Sequence, residues 1–190
     1  MKMIFRTPLH TARLVLQPES LRDFPRFYSM SVDPEVMKYI GDGTIFHWTE
    51  ETALAKFRER IAARQNQPFG NLAVYRKDTG QYVGWCGIAP SRFLQEIELS
   101  YRLSRDSWAN GFATEAARAI LREFFQVTEI KNVFSCTHPD NGASRKVLEK
   151  LGFVFSHHIL SRPIQRDMPV FVIRREFIEN STPASLQEKG

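Results

Sequence analysis

The chain has 190 residues, 43% hydrophobic and 25% charged, the composition of an ordinary soluble globular protein with room for one sizeable core. Its formal net charge of +5 favours an anionic ligand, but no run of five or more Lys or Arg points to a nucleic-acid partner. No apolar run approaches the roughly 20 residues that span a bilayer, and Arg6 and Pro8 break up any signal-peptide core behind residues 3–5.

In chain order, residues 14–16 predict a short first strand closed by Pro18. Residues 21–28 predict an amphipathic helix. Asp33, as N-cap, and Pro34, at the first helical position, open another that ends at Gly41-Asp42-Gly43. Thr49 caps a helix over 50–64, with Ala53, Leu54, Phe57 and Ile61 as its apolar stripe. Strands at 72–76 and 81–88 flank the hairpin turn Lys77-Asp78-Thr79-Gly80, and a third strand covers 96–103. A helix over 114–125 repeats Ala113, Ala116, Ala117, Ile120, Leu121, Phe124 and Phe125 at helical spacing, which marks core packing rather than a ligand box. A strand at 133–137 and a helix at 143–151 follow, the helix stopped by Gly152 as a left-handed C′ residue. Strands at 153–160 and 169–178 close the series, and the polar tail beyond Asn180 is expected to fray. Meanders followed by helical crossovers imply an α/β (α+β) fold, a mixed sheet with helices on both faces. The expected organisation is a single domain over residues 1–180 and a flexible tail over 181–190. Cys86 and Cys136, in strand-like runs, read as buried free thiols. They support neither a disulfide framework nor a zinc site, and suit a reducing cytoplasm.

The segment Trp108-Ala109-Asn110-Gly111-Phe112-Ala113-Thr114-Glu115-Ala116 joins a strand-like run to a helix-like one. The first N–H groups of a helix lack internal partners, and the dipole there is positive. Gly111 and Ala113 lack bulk, so a phosphate can approach the backbone closely. The spacing is neither that of a P-loop nor that of a dinucleotide fingerprint.

Four segments carry a resemblance. They are Thr11-Ala-Arg-Leu-Val-Leu16; Asp33-Pro-Glu-Val-Met37; residues 108–116, which are similar to W-G-x-G-Y-A-T-E-A; and Asn141-Gly-Ala-Ser144 with Glu149-Lys-Leu-Gly-Phe153. In register over most of residues 11–178, they make the chain resemble the GNAT acetyltransferase superfamily, in particular its branch of ribosomal-protein N-terminal alanine acetyltransferases. The resemblance implies acetyl-coenzyme A as donor and an amine as acceptor, either a peptide N-terminus or a small amine. It places the pyrophosphate on the backbone of Trp108, Ala109, Asn110, Gly111, Phe112, Ala113 and Thr114. It runs the pantetheine arm beside Tyr101, Arg102 and Leu103, and it makes Asn141 a contact of that arm or an organiser of the site. Ala109 stands where a glycine is common, Asn110 where a Lys, Arg or Gln is common, and Leu148 where many relatives have a tyrosine acid. A coenzyme-binding sensor with little catalysis is therefore the alternative from another class. Pairing of two copies through the C-terminal strands is plausible for the fold.

Glu98 is the candidate base. Strand alternation groups it with Glu96 and Ser100 on one face, either bordering the cleft or simply solvated. Glu96 is second to it. By resemblance Ser144 is the candidate acid for the leaving thiolate; otherwise it is a first-turn residue bonded to backbone. A backbone N–H between Leu99 and Arg102 is expected to hold the oxyanion. Tyr101 either packs on the acetyl group or is a core aromatic. Arg145, Lys146 and Lys150 either meet a 3′-phosphate or form a solvated face. Phe46, His47 and Trp48 fall where the family shapes its acceptor site, as do Arg162, Arg166 and Asp167 in a later loop. His157 and His158, adjacent on a strand, point apart and do not suggest a metal, and His138 reads as a loop residue.

Overall fold

A computed structural model describes residues 5–41, 48–65 and 69–180. The expected tail and most of the 41–48 acceptor loop, including Phe46 and His47, lie outside these residues.

Eight strands form one sheet in the order β1-β2-β3-β4-β5-β6-β8-β7. They are β1 (Leu9–His10), β2 (Leu14–Gln17), β3 (Asn71–Arg76), β4 (Tyr82–Ser91), β5 (Glu96–Leu103), β6 (Asn132–Cys136), β7 (Val154–Ser161) and β8 (Arg166–Arg174). Every pairing is antiparallel except β5 with β6, which run parallel and share the single register pair Glu98↔Phe134. The expected hairpin joins β3 to β4 through Lys77-Asp78-Thr79-Gly80, with Gly80 N bonded to Arg76 O. β7 is the free edge, and its Val154, Phe155 and Leu160 are exposed.

Helices α4 (Phe112–Val127), α5 (Gly142–Leu151) and α6 (Arg175–Asn180) serve one face. There Leu14, Leu16, Leu72, Ile88 and Leu99 meet Ile120, Leu121, Phe124, Leu148 and Leu151 in the main core, all fully buried. Each large apolar side chain so buried contributes roughly 1.5–3 kcal/mol. Helices α1 (Phe24–Ser31), α2 (Pro34–Met37) and α3 (Glu50–Gln65) build a second cluster around Phe24, Phe27, Phe57 and Trp85. In α3, Ala53 and Phe57 are buried and Leu54 and Ile61 pack partly against the same cluster, the stripe the spacing predicts. Thr49 Oγ1 accepts from Thr52 N, and Asp33 accepts from Glu35 N and Val36 N, so both expected caps form.

Several elements differ from expectation; α2 ends at Met37, β4 runs on to Ser91 and β8 begins at Arg166. The first helical run splits into a 3-10 turn over Leu21–Asp23 and then α1, because Pro25 has no N–H to give and fits only a first turn. α4 starts two residues early, at Phe112. β1 is too short to show as a period. The last strand stops at Arg174. Arg175 turns its guanidinium back to the carbonyls of Phe125, Thr128 and Ile130, and the chain continues as α6, which delivers Ile178 to the core. Gly152 ends α5 at φ +94, where a Cβ would lie 2.0 Å from the Phe177 ring.

Candidate active site

The sheet opens at β5. Beyond Glu98↔Phe134 the ladder with β6 ends, and the Ser135 hydroxyl donates to Leu99 O at 3.0 Å in place of a backbone group. Trp108 Nε1 donates to Leu103 O at 2.9 Å, while Ser104 N bonds Val83 O in β4. Alternation along an antiparallel strand then turns the N–H and C=O groups of Leu99, Tyr101 and Leu103 toward the gap and those of Ser100 and Arg102 toward β4. The three residues expected beside the coenzyme arm are thus divided. Tyr101 and Leu103 present backbone to the gap. Arg102 does not, and its side chain goes to the opposite face, across from Trp85.

At the C-terminal end of β5 the chain makes a 3-10 turn over Arg105–Ser107 and enters the loop before α4. Ala109 and Gly111 both have positive φ, 60° and 75°. Gly111 is the N-cap and offers no side chain to the helix. The first intrahelical bond there is Glu115 N to Gly111 O at 3.0 Å, so the N–H groups of Phe112, Ala113 and Thr114 precede the ladder and are left for a ligand. Asn110 Nδ2 bonds Trp108 O, which braces the loop, and Trp108 stays exposed. A groove of about 670 Å3 runs from Gly111 and Thr114 along α4 past Arg118, Arg122 and Lys150. Of the residues expected to meet phosphates, Gly111, Thr114 and Lys150 line it, and Arg118 and Arg122 join them.

The sequence pattern does not foretell what holds this helix end. Glu115, in the first turn, accepts from Thr11 Oγ1 at 2.6 Å, Arg13 N at 2.8 Å and Arg13 Nε at 2.7 Å. Two segments matched separately, one beginning at Thr11 and one ending at Ala116, are therefore a single contact. It also neutralises the carboxylate in the first turn of α4, which would repel an incoming phosphate.

Glu98 lies half-buried where β5 and β6 part. Burial pushes its carboxyl above the ordinary range, and hydrogen bonds from the Ser91 side chain and the Cys136 backbone pull only partly back. Cys136 is a free thiol pushed up to about 12, first by burial and then by the charge of Glu98. Glu96, by contrast, is exposed at the strand's start. Across the gap, Asn141 caps α5, its Oδ1 accepting from Ser144 N at 3.0 Å. Ser144 Oγ is 3.0 Å from Tyr101 Oη, which also donates to Ser144 O at 3.2 Å. Tyr101 thus ties the gap edge of β5 to the first turn of α5, and burial raises its hydroxyl pKa. Leu148 is fully buried, as a core residue.

The other candidates have structural partners or stand apart. Arg145 donates to Pro139 O, and Arg166 pairs with Asp140 at 2.7 Å. Lys146, Arg162 and Asp167 are exposed. His138 stacks near Tyr39, with ring centroids 5.1 Å apart, and His157 and His158 are exposed on β7 beside a register shift. Among the described residues no helix is long and apolar enough to cross a membrane, and no group of three or more His, Cys, Asp and Glu could hold a metal ion.

Comparison with known proteins gives consistent matches. A family model described as Acetyltransferase (GNAT) domain matches residues 13–154. An uncharacterized protein of Bacillus subtilis, YkkB, is 38% identical over 159 residues, covering 81% of this chain and 89% of that one. The FsC-acetyl coenzyme A-N(2)-transacetylase of Aspergillus fumigatus is 31% identical over 153 residues, covering 76% of this chain and 63% of that one. A GNAT-family acetyltransferase structure from Bacillus anthracis superposes with a TM-score of 0.75 at 22% identity, covering 88% of this chain and 98% of that one.

Proposed function

Since the chain belongs to the GNAT acetyltransferase family, we propose that it transfers an acetyl group from acetyl-coenzyme A to the primary amine of a protein or peptide N-terminus. Acetyl-coenzyme A is the donor and supplies the acetyl group as an activated thioester. The residues present fit it. The uncapped N–H groups of Phe112, Ala113 and Thr114, with Gly111 before them, suit a pyrophosphate. The gap-facing backbone of Tyr101 and Leu103 suits an amide-bearing arm, and Lys150 and Arg118 border the groove that continues from Gly111.

The observation that carries the acceptor reading is Glu98, a carboxylate of raised pKa at the opening of the sheet. A carboxylate acting through one water removes a proton readily from an α-amine, whose pKa is near 8, and poorly from a lysine amine near 10.4. The neutral amine attacks the thioester carbonyl, the new C–N bond forms, the nitrogen gives its extra proton to water, and the C–S bond breaks. Charge growing on the carbonyl oxygen meets a backbone N–H on the gap edge, for which Tyr101 is the proposed donor. Ser144, held by Asn141 and Tyr101, returns a proton to the departing sulfur.

A small-molecule amine is the second reading, favoured by the relative whose name gives N(2) of FsC as its acceptor. A panel of peptides and small amines, scored by release of free coenzyme thiol and by mass spectrometry of the products, tests both. Nα-acetyl peptides are expected. Products from small amines alone move the reading to the second acceptor class, and no thiol release with any amine refutes the proposal.

A further inference from the structure

Arg102 extends from β5 on the same face as Glu98, four residues along. Its guanidinium carbon lies 5.6 Å from the Trp85 ring centroid, and that of Arg60 lies 4.4 Å from the same ring. Arg60 has its counter-charge, with Nε and Nη2 bonded to Glu19 at 2.8 and 3.0 Å. Arg102 has none. No ion pair or hydrogen bond reaches it among the described residues, and its Nε is buried without an acceptor. Two more donors on these strands are buried and unpartnered, Trp85 Nε1, directly across the ladder, and Tyr82 Oη, three residues before it. Burial, and then the charge of Arg60, lowers Arg102 only to about 10, so it stays cationic at neutral pH.

The charges around Trp85 do not cancel. Glu19 is shared by Arg60, which it bonds, and by the nearby Arg64, and among the described residues no carboxylate is left for Arg102. An unpaired cation in a partly dry site is costly relative to water, and an anion bound beside it would offset that cost. A guanidinium with open nitrogens selects a carboxylate by its planar fork.

We infer that Arg102 is a specificity residue that receives a carboxylate carried by the acceptor. The inference rests on the proposed placement of the amine at Glu98. Four strand residues separate the two side chains' origins by about 13 Å. That is close to four extended peptide residues, so the carboxylate belongs a few residues beyond the reacting amine.

The test uses tetrapeptide amides with one Asp at the second, third or fourth position, each against its Asn counterpart, with the full chain and acetyl-coenzyme A. At the third or fourth position the Asp peptide is expected to have a kcat/KM at least about tenfold higher, mostly through KM. Arg102→Gln abolishes that ratio and Arg102→Lys keeps part of it, a readout that a general loss of folded protein does not move. Equal kcat/KM for Asp and Asn at every position overturns the inference and leaves acetyl transfer standing. If no peptide is acetylated, the proposed function fails by itself, and calorimetric binding of the Nα-acetylated Asp and Asn peptides decides the role of Arg102. An Arg102-dependent preference for Asp upholds it, and equal binding overturns it.

Discussion

Replacing Glu115 by glutamine and Arg13 by methionine, singly and together, measures how firmly the N-terminal segment holds the helix that bears the anion cradle. The Glu115 carboxylate accepts three hydrogen bonds of 2.6–2.8 Å from Thr11 and Arg13. Bonds to a charged group contribute about 1.5–3 kcal/mol each when sheltered. The Arg13 side chain is 52% exposed, so its ion pair adds no more than about 1 kcal/mol. Glu115→Gln keeps one acceptor oxygen and is expected to cost about 2 kcal/mol, a fall in Tm of about 4–8 °C for a chain of this size. The coupling energy with Arg13→Met should be about 1 kcal/mol. The effect carries a pH signature. Burial alone would raise the carboxyl, but the bonds from Thr11 and Arg13 outweigh it, and the group is held below its ordinary value. A depressed folded value contributes stability above the unfolded pKa, near 4.3, and loses it as pH falls through the folded one. Urea unfolding should therefore show the full deficit at pH 7 and a shrinking one below about pH 4. Single effects that add within about 0.3 kcal/mol, or a deficit that does not change with pH, would refute the clamp.

Glu98→Gln should lower turnover more than about tenfold, leave acetyl-coenzyme A affinity unchanged and remove the acid limb of the pH–rate profile; near-normal turnover removes the role. Because the folded state holds that proton longer than the unfolded one, the parent loses stability as pH rises through the raised value, so the glutamine variant should melt higher than the parent above that window and alike below it. Ser144→Ala should slow turnover by about tenfold, and a full rate across pH would show that the thiolate needs no acid. Ser135→Ala leaves the buried Leu99 carbonyl without its donor and should cost about 1–3 kcal/mol in denaturant unfolding; an unchanged midpoint would mean that another group serves it. Ala109→Gly relieves a positive φ and should stabilise by about 0.5 kcal/mol, so a lower Tm would contradict the loop geometry.

What the sequence shows of this molecule is what local rules encode. Asp33, Thr49 and Gly152 announce their helix ends because capping depends on neighbours a few residues away. Alternation along 96–103 places Glu98 and Ser100 on one face because the strand period is two. The clamp on Glu115 joins residues more than 100 positions apart, and nothing in the composition of either segment names the other. Tyr101 and Ser144 meet only because α5 docks beside the opened sheet. Helix α6 is hidden in the sequence because Phe171 and Ile173 of β8 and its own Ile178 look like one buried run until Arg175 turns the chain. The resemblance sets Arg102 beside the coenzyme arm with Tyr101, and the pleat of the strand turns the two to opposite faces.

That pleat makes β5 a ruler with different markings on its two sides. Leu99 and Leu103 anchor one side in the main core, while Glu98 and Arg102 occupy the other. Deleting a single residue between Glu96 and Leu103 would exchange the two sets, presenting charges to α4 and leucines to the opposite face. Length changes in the turn between β7 and β8 move nothing comparable. In this chain the parity of eight residues keeps the core-facing leucines and the charged face apart, and a library of insertions scanned along the gene should find its least tolerant stretch there.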